Sequence, residues 1–296
     1  MRNISMLWPG GRRRALTLSY DDGVEQDRRL VALMNRYGIK GTFNINSGFI
    51  CGRDNVIHSA LEMDYSHIPA DEIKDVYEGH EVAVHSVNHP KLLELSSPVV
   101  LAEIMEGRKN LEALIGSHVC GMPSPFGAND TRLHSLIQMC GIRYTRGIRC
   151  SHGFDMPQNP YDWVCSCHHK DLEPLLDSFF EDNHRLRLLS IWGHSYEFDQ
   201  TNTWDVIEKQ LSRLGGHSSI WYATNREIFE YIDDFNNLCR SANENLIQNQ
   251  SSQCIWLEIN GKTYVVEPGK MLTVTEEYVV YFSSLEDEGI SYETRN

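Results

Sequence analysis

The chain has no apolar run long enough to span a bilayer. Its opening stretch, Met1 to Gly10, lacks the apolar core and small-residue cleavage site of a secretory signal. Positive charge is scarce: 27 Lys and Arg stand against 41 Asp and Glu, a net charge of −14, and Arg12-Arg13-Arg14 is the only basic run. An acidic surface disfavours polyanions, so neither nucleic acid nor membrane is expected as a partner, while neutral sugars stay compatible. Eight cysteines fall at scattered positions (Cys51, Cys120, Cys140, Cys150, Cys165, Cys167, Cys239 and Cys254). Free thiols in a reducing compartment explain that scatter more simply than a disulfide framework, and the protein is expected to be cytoplasmic. Internal repeats, coiled-coil heptads and glycine-rich phosphate loops are also missing. A length of 296 residues allows one barrel-sized domain and a small appendage.

What the chain does have is apolar strands that end in chemistry. Ala15-Leu16-Thr17-Leu18-Ser19-Tyr20 runs into Asp21-Asp22-Gly23. Two adjacent carboxylates at a strand end suit two jobs, a metal ligand and a base beside it. Val82-Ala83-Val84 leads into His85 and His89, spaced i,i+4, and Leu188 to Trp192 leads through Gly193 into His194. One carboxylate and two imidazoles form a facial ligand set that leaves metal positions open for water and substrate. Alone, Asp-Asp-Gly reads as a turn, and His-x-x-x-His recurs by chance among 13 histidines. Their shared placement directly after strands reads as a metal-dependent hydrolase.

These residues resemble the polysaccharide deacetylase family, the NodB-like carbohydrate esterases of family four. The first family motif matches Ser19-Tyr20-Asp21-Asp22-Gly23 and the second matches His85-Ser86-Val87-Asn88-His89. The resemblance covers roughly residues 14 to 235. It implies Asp21 as general base, Asp22, His85 and His89 as metal ligands, and His194 as general acid. The implied cofactor is a divalent metal, zinc first, with cobalt, nickel or manganese as alternatives. In the third motif, Pro123-Ser124-Pro125-Phe126-Gly127, proline stands where relatives carry an arginine that orients the base. Arg143 or Arg146 could substitute. Pro125, Phe126, Trp163 and Trp192 are candidate substrate contacts, with core packing the competing role for both tryptophans; Asp162 is a candidate for orienting the base. Cys165, Cys167, His168 and His169 lack the paired spacings of a structural zinc module.

Strands alternate with helical patterns along residues 1–240, which implies a parallel sheet with helices outside it. The resemblance makes this an irregular (β/α) barrel of about seven parallel strands, with the candidate residues at the C-terminal strand ends. After an Asn-, Gln- and Ser-rich linker at 241–252, short alternating runs and Asn260-Gly261 predict a small β-rich appendage over 241–296. The implied reaction removes an acetyl group from an N-acetylated sugar or oligosaccharide, with an O-acetyl ester as second choice. Two alternatives stand beside it: a C–N hydrolase acting on a cyclic amide or ureide, as in allantoinases, and a catalytically inactive sugar-binding protein. A homo-oligomer is left open.

Overall fold

The computed structural model describes residues 4–50, 57–58, 63–181, 184–274 and 279–282. Cys51 and the last fourteen residues lie outside them. Contacts group the chain into two units, Arg12–Glu230 and Met1–Gly11 with Tyr231–Asn296.

The larger unit is built on the strand Arg14–Asp22. Successive side chains of a strand point to opposite faces. Leu16, Leu18 and Tyr20 enter the apolar cluster, together with Leu30 and Met34 of the helix Asp27–Arg36. The alternate residues Thr17, Ser19 and Asp21 are buried too, but bond to Asn225, Asn44 and Arg146. One face of this strand is therefore oily and the other is a polar network.

Parallel strands flank it in the order Cys167–His168, Arg187–Gly193, Arg14–Asp22, Gly41–Ile45 and Glu81–Val84, and Ile220–Tyr222 also pairs with its first residues. A second parallel sheet contains Gly121–Pro123, Tyr144–Cys150 and Trp163–Cys165. All nine strands are parallel, in the mixed α/β arrangement the alternation predicts, and the two sheets form an irregular barrel whose ladder does not close among the described residues. Two links join the sheets. On one side, Trp163–Cys165 and Cys167–His168 are consecutive pieces of one run, and Ser166 between them donates its N–H to Ser190 O at 2.8 Å. On the other, Tyr144 Oη donates to Glu81 Oε1 at 2.6 Å and His85 Nδ1 to Pro123 O at 2.9 Å. Burial raises the Glu81 carboxyl to about 6, against hydrogen bonds from Tyr144, the Arg226 N–H and Thr42.

The strand number exceeds the expected seven partly because the run Trp163 to His168 divides at Ser166 into two strands that belong to different sheets. The segment between Pro69 and Gly79 forms a single helical turn, Ile73–Val76, and Gly79, at φ 83°, lies beyond it.

In the smaller unit, Ile4–Leu7, Ile255–Ile259 and Lys262–Val266 form an antiparallel sheet. A second contains Cys239–Arg240, Leu246–Gln248, Met271–Val274 and Val279–Phe282. Asn260 and Gly261, at φ 49° and 79°, form the hairpin turn expected of Asn-Gly. The sequence puts the appendage at 241–296, whereas the first eleven residues also fall in this unit, because Ile4–Leu7 pairs with Ile255–Ile259. The presumed linker is ordered. Buried Asn249 donates to Gln253 O and Val266 O at 2.7 and 2.8 Å, and its Oδ1 accepts from Ser251.

Candidate metal and catalytic site

Asp22 ends its strand at φ 83°, in left-handed space that a non-glycine residue enters at a cost. Its neighbour Gly23 also has positive φ, so the chain turns sharply and leaves both carboxylates at the strand end. His85 follows the strand Glu81–Val84, and its Nδ1–H donation to the Pro123 carbonyl leaves Nε2 as the free lone pair. His89 is delivered by a turn in which Ser86 and His89 both have positive φ, 65° and 51°. Ser86 Oγ accepts the His89 N–H at 3.0 Å, and Glu103 Oε2 accepts those of Val87 and Asn88 at 3.0 and 2.9 Å. Glu103, on the helix Ser97–Ile115, thus grips the loop that presents the second imidazole.

The ligating atoms of Asp22, His85 and His89 all lie within 4.8 Å of one another. Burial pulls the His85 pKa down to about 4, keeping its ring neutral at pH 7. An anionic oxygen and two imidazole nitrogens suit a divalent transition metal. Tyr65 Oη donates to Asp22 Oδ2 at 2.8 Å, and its ring packs edge-on against Tyr196 and His67. Tyr65 carries no sequence signal of its own.

Asp21 is held differently. Its Oδ1 accepts from Asn44 Nδ2 at 2.8 Å and from the Arg146 guanidinium. Arg146 also donates to Ser19 Oγ and lies over the Trp192 ring, 5.1 Å from its centroid. Burial alone would raise the Asp21 carboxyl, but the Arg146 charge, aided by His85 and His194, brings it down to about 2. Of the two arginines the sequence offered, Arg146, on the strand Tyr144–Cys150, is the one that meets Asp21. Arg143 points instead to Glu230 and the Phe229 ring.

His194 Nε2 lies 4.0 Å from both Asp21 Oδ2 and Asp22 Oδ2. Its Nδ1–H donates to Glu197 Oε1 at 2.9 Å, so the tautomer and ring plane are set from behind. Burial would lower the His194 pKa; Glu197, Asp21 and Asp22 outweigh it and raise the value. Glu197 lies on the short helix Tyr196–Gln200, which the sequence reading missed; its only local signal is the i,i+3 spacing from His194 just after a strand. Burial also opposes ionisation of Glu197, yet hydrogen bonds from His168, His169 and His194 hold its carboxyl far below the usual range.

The remaining candidates separate. Phe126 has φ 57°, is 59% exposed and meets the His89 ring at 4.6 Å between centroids; Pro125 beneath it is buried. Trp192 is half-buried beside His194 and Arg146. Trp163 is 2% exposed and packs on Tyr144, which gives it the core role. Asp162 pairs with Arg149 and Asn129 rather than orienting Asp21.

The fold is a barrel-like α/β one, with a cluster of carboxylates and imidazoles at the ends of its strands. Residues 10–145 match the family model described as Polysaccharide deacetylase, so the resemblance carried by Asp21-Asp22-Gly23 and His85 to His89 holds over that segment. No curated protein sequence matches the chain. Among solved structures, it resembles a putative polysaccharide deacetylase from Mycobacterium smegmatis, with 15% identity over 79% of this chain and 95% of that one, TM-score 0.54. The peptidoglycan deacetylase PdaC from Bacillus subtilis is 18% identical over 76% of this chain and 94% of its own, TM-score 0.48. The Streptococcus pyogenes deacetylase PplD, solved in complex with acetate, is 17% identical over 45% of this chain, TM-score 0.38, and the chain spans 55% of its length. At 15% identity the likeness to the first of these is one of fold.

Proposed function

We propose that the protein is a metal-dependent hydrolase that removes acetyl groups from an N-acetylated carbohydrate, O-acetyl esters being the lesser substrates. The observation that carries this reading is the position of Asp21: one oxygen is tied to Arg146 and Asn44, and the other faces His194 beside the Asp22, His85 and His89 cluster. A divalent ion, zinc first, held by those three ligands lowers the pKa of water and polarises a carbonyl. Asp21 Oδ2 accepts the proton of the attacking water, and a depressed carboxyl keeps that oxygen anionic at neutral pH. His194, fixed through Nδ1 by Glu197, presents Nε2 to the same space and delivers a proton to the leaving amine or alcohol. The Phe126 turn borders His89, where its backbone N–H can meet the developing oxyanion and its exposed ring can face a sugar. Trp192 offers a second ring.

The Arg146 clamp removes the main ground for the inactive-binder alternative, which was the missing third-motif arginine. The test is the metal content of purified protein by elemental mass spectrometry, followed by acetate release from acetylated sugars. Wild-type protein is expected to carry metal in the Asp22–His85–His89 set and release acetate, and His89→Ala to lose both. A protein that takes up no metal after reconstitution would sink the hydrolase reading. Turnover of a cyclic ureide without acetate release would move the reading to the allantoinase-like alternative.

A further inference from the structure

Behind His194 lies a second convergence of donors, and the proposed reaction uses only part of it. His168 ends the short strand Cys167–His168, whose register pairs it with Trp192. His169 opens the 3-10 turn His169–Asp171. In a continuing strand two adjacent side chains would point to opposite faces. Here the change from strand to turn swings both rings to one side, with centroids 4.4 Å apart. Their Nε2 atoms lie 3.2 and 3.1 Å from the same atom, Glu197 Oε2. Both histidines are 6% exposed, and Nδ1 of His169 is buried with no hydrogen-bond partner. A cavity of about 220 Å³ borders the cluster, lined among others by His169, Glu197, Thr201, Thr203 and Gln210.

We propose that His168 Nε2, His169 Nε2 and the Glu197 carboxylate form a second site for a divalent transition metal, separate from Asp22, His85 and His89. The three residues offer ligating atoms that all lie within 4.8 Å of one another. Two imidazoles and one carboxylate favour zinc, cobalt, nickel or copper over magnesium or calcium, which prefer all-oxygen shells. With three protein ligands, the ion keeps an open position, which water in the adjoining cavity fills. Binding through Nε2 moves each ring proton to Nδ1, exchanges the two Nε2 contacts with Glu197 Oε2 for metal ligation, and gives up the long 3.4 Å contact from the Lys170 N–H to His168 Nδ1. Glu197 also holds the Nδ1–H of His194 through its other oxygen, so one carboxylate joins the second ion to the proposed catalytic acid.

The experiment is a Co2+ titration of chelator-stripped, full-length protein, read by d–d absorption and by elemental mass spectrometry after desalting. Wild type is expected to retain two equivalents. His85→Ala/His89→Ala, which leaves the second cluster intact, is expected to retain one, with an absorption band that disappears when His169→Gln is added. A single equivalent in wild type that vanishes entirely in His85→Ala/His89→Ala overturns the second site and leaves the first standing. Two equivalents retained in a folded His169→Gln protein also overturn it. Loss of the first-site equivalent alone would count against the proposed reaction, not against this cluster.

Discussion

The two sides of the cleft use histidine in opposite ways. On the metal side, His85 has its outer nitrogen satisfied by a backbone carbonyl, and His89 is carried on a loop gripped by Glu103. The two rings also meet edge-on, 4.7 Å between centroids. On the acid side, His168, His169 and His194 all hang on the one carboxylate of Glu197. The first arrangement sets the directions of the proposed ligands, whereas the second places a carboxylate behind the proposed proton donor. A change at one metal-side support should therefore stay local, while a change at Glu197 should reach three rings at once.

The sharpest break between the sides is expected from Asp21→Asn. Metal content should be retained while turnover falls by roughly 10²–10⁴-fold, the share of a general base. Loss of metal in this variant would show Asp21 to be a ligand and merge the two sides. Next comes Arg146→Met, which strands the buried Asp21 carboxylate without its cation. Breaking a buried pair costs about 3–5 kcal/mol, measurable by urea denaturation; a loss under about 1 kcal/mol would place the pair among exposed ones.

Glu197→Gln should lower turnover by about 10²-fold, the lower range for a proton-transfer group, with first-site metal unchanged. The fall should be steeper for amide than for activated ester substrates, whose leaving groups need less protonation. An equal fall would argue that Glu197 supports packing only.

A pH-dependent effect on stability, outside this contrast, concerns Asp27, whose carboxyl accepts from Ser195 Oγ at 2.5 Å and Tyr77 Oη at 2.7 Å. Burial, against those two hydrogen bonds, raises its carboxyl from 3.8 to about 7. A carboxyl raised on folding favours the protonated folded state. This stabilising contribution is therefore complete below about pH 4 and is lost as pH rises towards 7. The shift corresponds to about 4 kcal/mol. Asp27→Asn should remove that decline, so urea midpoints of the two proteins should converge or cross between pH 4 and 8. Parallel curves would mean that Asp27 is already ionised in the folded protein.

The metal side was legible because its residues announce themselves locally: Asp21-Asp22-Gly23 and His85 to His89 each follow an apolar strand within a few positions. The parallel-sheet architecture was legible for the same reason, through alternation of strand and helix patterns. The acid side was only half legible. His194 follows its strand, but Glu197 sits on a five-residue helix too short for periodicity to reveal. Arg146 was one of two candidates; Arg143 lies just before the strand Tyr144–Cys150 and meets Glu230, whereas Arg146, within the strand, meets Asp21. Tyr65 and Glu103 reach the site from distant segments, and nothing in their local sequence marks them. In the smaller unit, the 241–252 stretch read as a linker because its polar residues suggest solvent, whereas Asn249 spends its amide on three backbone partners inside the unit.

Trp163 to His168 passes from one sheet to the other at Ser166. Its first residue is in register with Arg146, and its last with Trp192, the ring that Arg146 covers. The base's clamp and the acid's imidazole neighbours are thus set by a single six-residue count. Deleting one residue there would reverse the facing of every later side chain in the run and turn His168 away from Glu197. Most barrel loops can lengthen or shorten over evolutionary time; this seam is a place where the chain can change its letters but not its length.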